Sequence, residues 1–337
     1  SRAHVRLKSN SVLPNKDFRL RYAVAGERID DAVLTHFREQ GGFFTMILQP
    51  PNRVTVEDVT PKELVFVLDV SGSMSGFPIE KAKETMKLAL DGLYPRDTFN
   101  LITFAGQTKV LFPAPVPATA ANLAHAQRFL ASRQGGGGTE MMRAIRTALE
   151  PSDSTEHVRI VCFMTDGYVG NDMAILDEVQ RHPNARVFSF GVGSSPNRFL
   201  LDKMAEVGRG EVEYVSLQQD GSAAARRFHE RVRNPLLTDI ALDFGDLQVE
   251  DVYPKRIPDL FSAKPVIVKG RYAAPGRGKV RLTGKMSGRP FAREIPVTFA
   301  RQAEEHEALA SLWARGCGPA CWTCRPRNRT ATRTSHA

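Results

Sequence analysis

Five residues carry oxygen donors suited to a hard cation. Asp69, Ser71 and Ser73 stand in the spacing D-x-S-x-S, Thr139 follows four consecutive glycines at 135–138, and Asp166 is the centre of Thr165-Asp166-Gly167. The first three wrap one carboxylate and two hydroxyls around a tight loop, with Gly72 permitting the bend. Together the five offer only hard oxygen donors, with no His or Cys. Such a set suits Mg²⁺, Mn²⁺ or Ca²⁺ and argues against zinc or copper. Mg²⁺ favours octahedral geometry and retains several waters, which two Asp and three hydroxyls can orient. By average composition D-x-S-x-S arises by chance in roughly one chain in ten of this length. Ser and Asp ahead of a helix are also common N-caps. The weight of the motif therefore rests on the elements that position it.

Residues 63–70 (ELVFVLDV) form a nearly continuous apolar run that ends at Ser71, the pattern of a buried parallel strand. Pro78 suits a first helical turn, and Ile79, Ala82, Met86, Ala89 and Leu93 fall on one face of the helix that follows. The spacing then predicts strands over 98–104 and 108–112, helices over 120–132 and 139–149, and a strand over 158–164 that ends at Thr165. A helix over 171–181, a strand over 186–192, a helix over 198–207, a strand over 212–217 and a closing helix over 223–232 complete the series. This alternation predicts an α/β fold, a doubly wound and mostly parallel sheet with helices on both faces. Ligands of such sheets bind outside the carboxyl ends of the strands, where all three oxygen-bearing loops are expected to meet.

The flanks read differently. Short extended runs occur at 18–24 and 43–48, and again at 240–244, 265–271, 279–285 and 291–298, with Met286-Ser287-Gly288-Arg289 as a hairpin turn. Neither set alone has enough strands to bury a face. The expectation is one β-sandwich built from N- and C-terminal segments, with the α/β domain inserted between them. The predicted divisions are 1–61, 62–233, a β-rich 234–300, a helix over 301–315 bearing Leu309, Leu312 and Trp313, and a tail over 316–337.

The 337 residues suit about two domains. Hydrophobic residues at 42% and charged residues at 25% exclude wholesale disorder, and no run nears the ~20 apolar residues of a membrane-spanning helix. The net charge of +9 is concentrated: Arg315, Arg325, Arg327, Arg329 and Arg333 stand in an acid-free end, which leaves +4 for the rest. That balance implies no nucleic-acid partner. Cys162 lies in an apolar run and reads as a buried hydrophobe, while Cys317, Cys321 and Cys324 offer three thiols without a clear fourth zinc ligand. After Arg315 the composition turns to Gly, Cys, Pro, Thr and Arg, so an out-of-frame or artificial, disordered end is expected, and the sequon at Asn328 falls within it. Serine at position 1 with no signal-like segment after it reads as a processed or truncated start. The glycine run is not followed by the Lys-Ser/Thr of a phosphate loop.

Asp69-x-Ser71-x-Ser73, Thr139 and Asp166 resemble the metal-ion-dependent adhesion site of von Willebrand factor A domains, and the resemblance covers residues 62–233. The stretches Asn234-Pro235-Leu236-Leu237-Thr238, 249–254 (VEDVYP), Pro258-Asp259-Leu260-Phe261 and Gly270-Arg271-Tyr272 resemble inter-alpha-trypsin inhibitor heavy chain proteins, and more closely the bacterial members of that architecture. There the A domain follows a domain called VIT, whose end residues 1–50 resemble. The resemblance implies that Ser71 and Ser73 bind metal through their hydroxyls and that Thr139 binds directly when ligand is present. Asp69 and Asp166 would bind directly or through water. It further implies a non-enzymatic, divalent-metal-dependent adhesion or ligand-binding protein, secreted or of the cell envelope. Its Mg²⁺ (or Mn²⁺/Ca²⁺) would bridge to an acidic residue of a protein or extracellular-matrix ligand. The Asp-Pro-His attachment site of the animal heavy chains and a sortase signal do not occur, so covalent transfer to hyaluronan and wall anchoring are not implied. Two alternatives stay open: an intracellular A domain that assembles a chelatase-like complex, and a metal-dependent phosphohydrolase that uses Asp69 and Asp166.

Overall fold

A computed structural model of the chain describes residues 26, 28–38, 41–150, 157–167, 169–193, 195–215, 221–301 and 306–316. The extended run at 18–24 and the tail with Cys317, Cys321, Cys324 and Asn328 lie outside the described residues. The description begins with β1 (Asp30–Arg38) and β2 (Gly41–Gln49), an antiparallel pair in which Asp30 faces Gln49 and Arg38 faces Gly41. β1 is not among the strands the sequence pattern picks out, because Asp30, Asp31, His36 and Arg38 dilute its apolar positions.

The α/β unit then runs β3 (Lys62–Asp69), α1 (Phe77–Asp91), β4 (Thr98–Phe104), β5 (Thr108–Val110), β6 (Val116–Pro117), α2 (Ala120–Ala131) and α3 (Met141–Leu149). It continues with β7 (Val158–Thr165), α4 (Asp172–Arg181), β8 (Ala185–Val192), α5 (Arg198–Val207), β9 (Val212–Val215) and α6 (Gly221–Arg233). The strand order is β5-β4-β3-β7-β8-β9, with β6 also paired to β4. β4, β3, β7, β8 and β9 are parallel; β5 and β6 are antiparallel to β4. β3 lies at the centre, with Phe66 opposite Leu101 on one side and Cys162 on the other. Its side chains alternate between two cores. Leu64, Phe66 and Leu68 join Met86 and Phe228 on one face, and Val65 and Val67 join Ile145, Ile175 and Leu200 on the other. Both faces are covered, which is why the strand reads as unbroken hydrophobicity. Each such side chain contributes about 1.5–3 kcal/mol by leaving water. Helix α3 begins at Met141, two residues later than the spacing predicts, so Thr139 stays in the loop.

The chain returns to β structure with β10 (Pro235–Asp243), β11 (Val249–Tyr253), β12 (Leu260–Phe261), β13 (Val266–Tyr272), β14 (Gly276–Met286) and β15 (Arg289–Phe299), followed by α7 (Ala308–Gly316). Two four-stranded antiparallel sheets result, β1-β2-β13-β11 and β12-β10-β14-β15. The N-terminal hairpin is completed by a strand from the far side of the chain, with β2 pairing β13 so that Ile47 faces Ile267. Phe44, Met46 and Leu48 of β2 share one core with Leu237, Val268, Val280, Leu282, Ile295 and Phe299, so the flanks form the sandwich that neither could form alone. Tyr272 stacks on Phe299 within it at 4.3 Å between centroids. Ser287 and Gly288 both take positive φ (49° and 75°), the backbone of a two-residue hairpin turn between β14 and β15. Helix α7 covers the sheet of β1 and β2 through Leu309 and Trp313, which pack with Phe43.

The two halves share contacts beyond the chain crossings. Phe261 of β12 enters the core beneath α6, and Arg186 at the start of β8 is bound by Asp259 and Asp239 of the sandwich, both at 2.5 Å. Only Asn234 separates α6 from β10, and the Thr60 N–H donates to the Pro235 carbonyl at 2.9 Å. Among the described residues no helix is long and apolar enough to cross a membrane.

Candidate functional site

Asp69 is the last residue of β3 and is fully buried. Its Oδ1 accepts the Ser71 backbone N–H at 2.8 Å and its Oδ2 accepts the Thr165 hydroxyl at 2.6 Å. Thr165 ends β7 and in turn accepts the Gly167 N–H at 2.8 Å, so the first and third loops are joined through one carboxylate. The buried Met74 anchors the short turn Gly72–Met74 to the core, and the Ser71 and Ser73 hydroxyls stand 3.2 Å apart on either side of Gly72. Ser71 is buried and Ser73 exposed, so this pair of oxygens spans the boundary between protein and solvent.

The glycine run is held against the same edge. The Gly72 N–H donates to the Gly137 carbonyl (3.1 Å) and the Gly136 N–H to the Val70 carbonyl (2.8 Å). Glycine is required where the loops touch: a Cβ on Gly135 would lie 2.5 Å from the Ser75 hydroxyl and 2.8 Å from its backbone, and Gly137 has φ +88°. Half-buried Thr139 lies between that tie and a second one, from the Glu140 N–H to the Ala105 carbonyl at 2.7 Å. Asp166 follows β7 directly and is nearly buried; its carbonyl accepts the Asn197 N–H at 2.8 Å. Asp69 at the end of β3 and the loops that carry Ser71, Ser73, Thr139 and Asp166 are thus gathered at the carboxyl edge of the sheet.

Burial raises the Asp69 carboxyl above its ordinary pKa; the Ser71 and Thr165 hydrogen bonds oppose the rise, and the neighbouring Asp166 charge adds to it. A buried carboxylate beside a second one, with three hydroxyls on the loops around them, is a donor set to which a hard divalent ion fits. Among the described residues no group of three or more His, Cys, Asp or Glu side chains is placed to hold a metal, so a site of soft or all-carboxylate type finds no support there.

Two contributors escaped the sequence reading of the site. Thr165 was legible only as a loop residue, and Asn197 not at all. Asn197 caps α5 by accepting the Leu200 N–H, and its amide donates to the Gly167 carbonyl (3.2 Å) and to Asp172 Oδ2 (3.1 Å). An Asn ahead of an apolar-periodic segment signals a cap; its second duty depends on a loop 30 residues away. A concavity of about 640 Å³, lined by Ile29, Asp30, Leu236, Met286 and Phe291, lies in the sandwich away from these loops.

Residues 62–214 match the von Willebrand factor type A domain family. Human inter-alpha-trypsin inhibitor heavy chain H4 is 31% identical over 283 residues, 80% of this chain; the chain spans 30% of that relative's length. Among solved structures, the von Willebrand factor type A protein from Catenulispora acidiphila superposes with a TM-score of 0.61 at 19% identity, covering 86% of this chain and 78% of that one. The ArnB paralog VWA2 from Sulfolobus acidocaldarius gives 0.57 at 17% identity, covering 84% and 78%. These two reach beyond the α/β unit and establish the fold. The family match over the α/β unit and the likeness to the heavy chain across both flanks place this chain among the von Willebrand factor A domain proteins of inter-alpha-trypsin inhibitor heavy chain-like type.

Proposed function

We propose that the chain is a divalent-metal-dependent adhesion or ligand-binding protein of the extracellular space or cell envelope. Asp69, Ser71, Ser73, Thr139 and Asp166 would hold Mg²⁺ (or Mn²⁺/Ca²⁺) against a carboxylate of a protein or matrix ligand. The observation that carries this reading is the state of Asp69, a buried carboxylate fixed through both oxygens with the Ser71–Ser73 hydroxyl pair beside it. A hard cation held there supplies a Lewis-acidic position to an incoming carboxylate. Where Asp69 and Asp166 act through water, the direct donors would be neutral hydroxyls that leave the ion's charge little compensated, which favours an anionic partner. Thr165 orients Asp69, and the ties from Gly72 to Gly137 and from Asp166 to Asn197 hold the loops at fixed separation. The chain needs no nucleophile or general base for this task, in keeping with a binding protein rather than an enzyme.

Calorimetric titration of the full chain with Mg²⁺ and Mn²⁺ tests the metal half. One site is expected, lost in Asp69→Ala with the circular dichroism spectrum retained; unchanged affinity in that variant would sink the assignment. Capture from native extract with Mg²⁺, with chelator and with the Asp69→Ala chain tests the ligand half, and a partner retained equally in all three contradicts metal bridging.

A further inference from the structure

We propose that Met173 and Phe199 form an apolar shoulder beside the Asp69–Asp166 edge. It receives a hydrophobic side chain from the same partner segment that presents the carboxylate, and so rests on the reading of the site given above. Met173 lies in the first turn of α4 and Phe199 in the first turn of α5, the helices that leave the carboxyl ends of β7 and β8. With 65% and 55% of their surface accessible, they are more exposed than the other exposed large hydrophobics among the described residues, which lie between 38% and 44%. Neither serves the core: Ile175, Leu176 and Val179 anchor α4, and Leu200, Leu201 and Met204 anchor α5.

Single exposed apolar side chains are ordinary on protein surfaces. These two are set apart by how they are fixed. The Asn197 backbone N–H donates to the Asp166 carbonyl and its side-chain amide to the Gly167 carbonyl and Asp172, so one residue joins both helix starts to the loop that carries Asp166. Met173 is the residue after Asp172 and Phe199 the second after Asn197, each within about one helical turn (~5.4 Å of axis) of that junction. Arg198, the residue before Phe199, is held against β9, its guanidinium 4.1 Å from the Tyr214 ring centroid. Stable protein contacts combine buried apolar anchors with a few charged pairs. The occupant that fits both halves is an extended segment with Asp or Glu followed or preceded within about three residues by Leu, Ile, Met or Phe.

The test is a selection of random linear peptides on phage against the full chain in Mg²⁺, eluted with EDTA, followed by titration of an enriched synthetic peptide. Eluted peptides should pair an acid with an apolar residue at that spacing. The Met173→Ser/Phe199→Ser chain should bind the peptide about tenfold or more weakly, a change of ~1.4 kcal/mol, with its own Mn²⁺ affinity and thermal midpoint kept. Acidic, metal-dependent peptides with no apolar enrichment, or equal binding by the double variant, overturn the shoulder. No chelator-released peptide, or equal selection by Asp69→Ala, overturns the site reading and the proposal with it. Apolar peptides that bind through Phe199 without metal would keep the shoulder as a contact and remove the carboxylate from it.

Discussion

The ring of Phe261 stands edge-on to that of Phe188, with centroids 5.5 Å apart and planes at 80°. Phe188 belongs to β8 of the A domain and Phe261 to β12 of the sandwich, and Phe188 also meets Phe228 of α6. The two halves therefore share part of one hydrophobic core.

Phe261→Ala should cost about 3–5 kcal/mol, the range for removal of a buried aromatic side chain. Because the cavity opens between the halves, urea unfolding monitored by circular dichroism is expected to shift to lower midpoint in both. A wild-type midpoint, or a loss confined to one half, would show that the rings touch without coupling the folds.

Arg186 and Asp259 should behave as a unit. Nε of Arg186 donates to Asp259 at 2.5 Å, Nη2 reaches Asp239 at 2.5 Å, and the other Asp259 oxygen accepts the Asp239 N–H at 2.9 Å. Asp259→Ala leaves the buried guanidinium with only Asp239 and the Asn184 carbonyl and should cost about 3–5 kcal/mol. Arg186→Met combined with Asp259→Leu should lose much less than the sum of its single variants. Additive losses in the double-mutant cycle would count against direct coupling.

Thr165→Val tests the support behind the proposed metal ligands. Its hydroxyl both donates to Asp69 and accepts from Gly167, and the variant keeps the shape while removing both bonds. Groups that orient ligands in this way typically contribute 10- to 100-fold to metal affinity, so Mn²⁺ titration should show a loss of about that size. Affinity within twofold of wild type would mean that Asp69 is held without Thr165.

The pH dependence of stability should carry a signature of His229. Burial lowers its pKa; Glu230 opposes this, while Arg233 and Lys62 push the same way. The unfolded chain takes up the proton near pH 6.5 and the folded chain only at lower pH. Stability is therefore full above about 6.5, falls as pH drops from there towards the folded value, and is level below it. His229→Gln should flatten that part of a denaturation series. A slope unchanged between pH 7 and 5 would assign the effect to other groups.

The doubly wound sheet was legible because β3, β7 and β8 are covered on both faces and write that fact as apolar runs. The loops bearing the proposed oxygen donors were legible because β3 and β7 end at Asp69 and Thr165, and the glycine run marks the connection between α2 and α3 that carries Thr139. What the sequence hid was pairing across distance. β1 mixes Asp30, Asp31, His36 and Arg38 with Val33 and Leu34, so its strand character depends on β2 rather than on its own period. β12 spans two residues, too short for any pattern, yet it delivers Phe261 to the A-domain core. Asn197 and Thr165 act through side-chain hydrogen bonds that reach other loops, to Gly167 and to Asp69, and no local spacing encodes such bonds. The predicted helix over 301–315 begins at Ala308, with residues 302–305 outside the described set.

Insertion of the A domain between β2 and β10 has a consequence for the chain's entropy. The antiparallel pairing of β2 with β13 closes the chain between Leu48 and Val266, a stretch that holds the whole A domain. While that pairing holds, a disrupted A domain is a closed loop, denied much of the freedom of an open chain. In the chain-entropy picture, closing a loop of ~100 residues or more restricts the disordered state by about 4–5 kcal/mol. The sandwich thereby acts on the A domain as a crosslink would, without a covalent bond, and favours its return to the folded state after local opening.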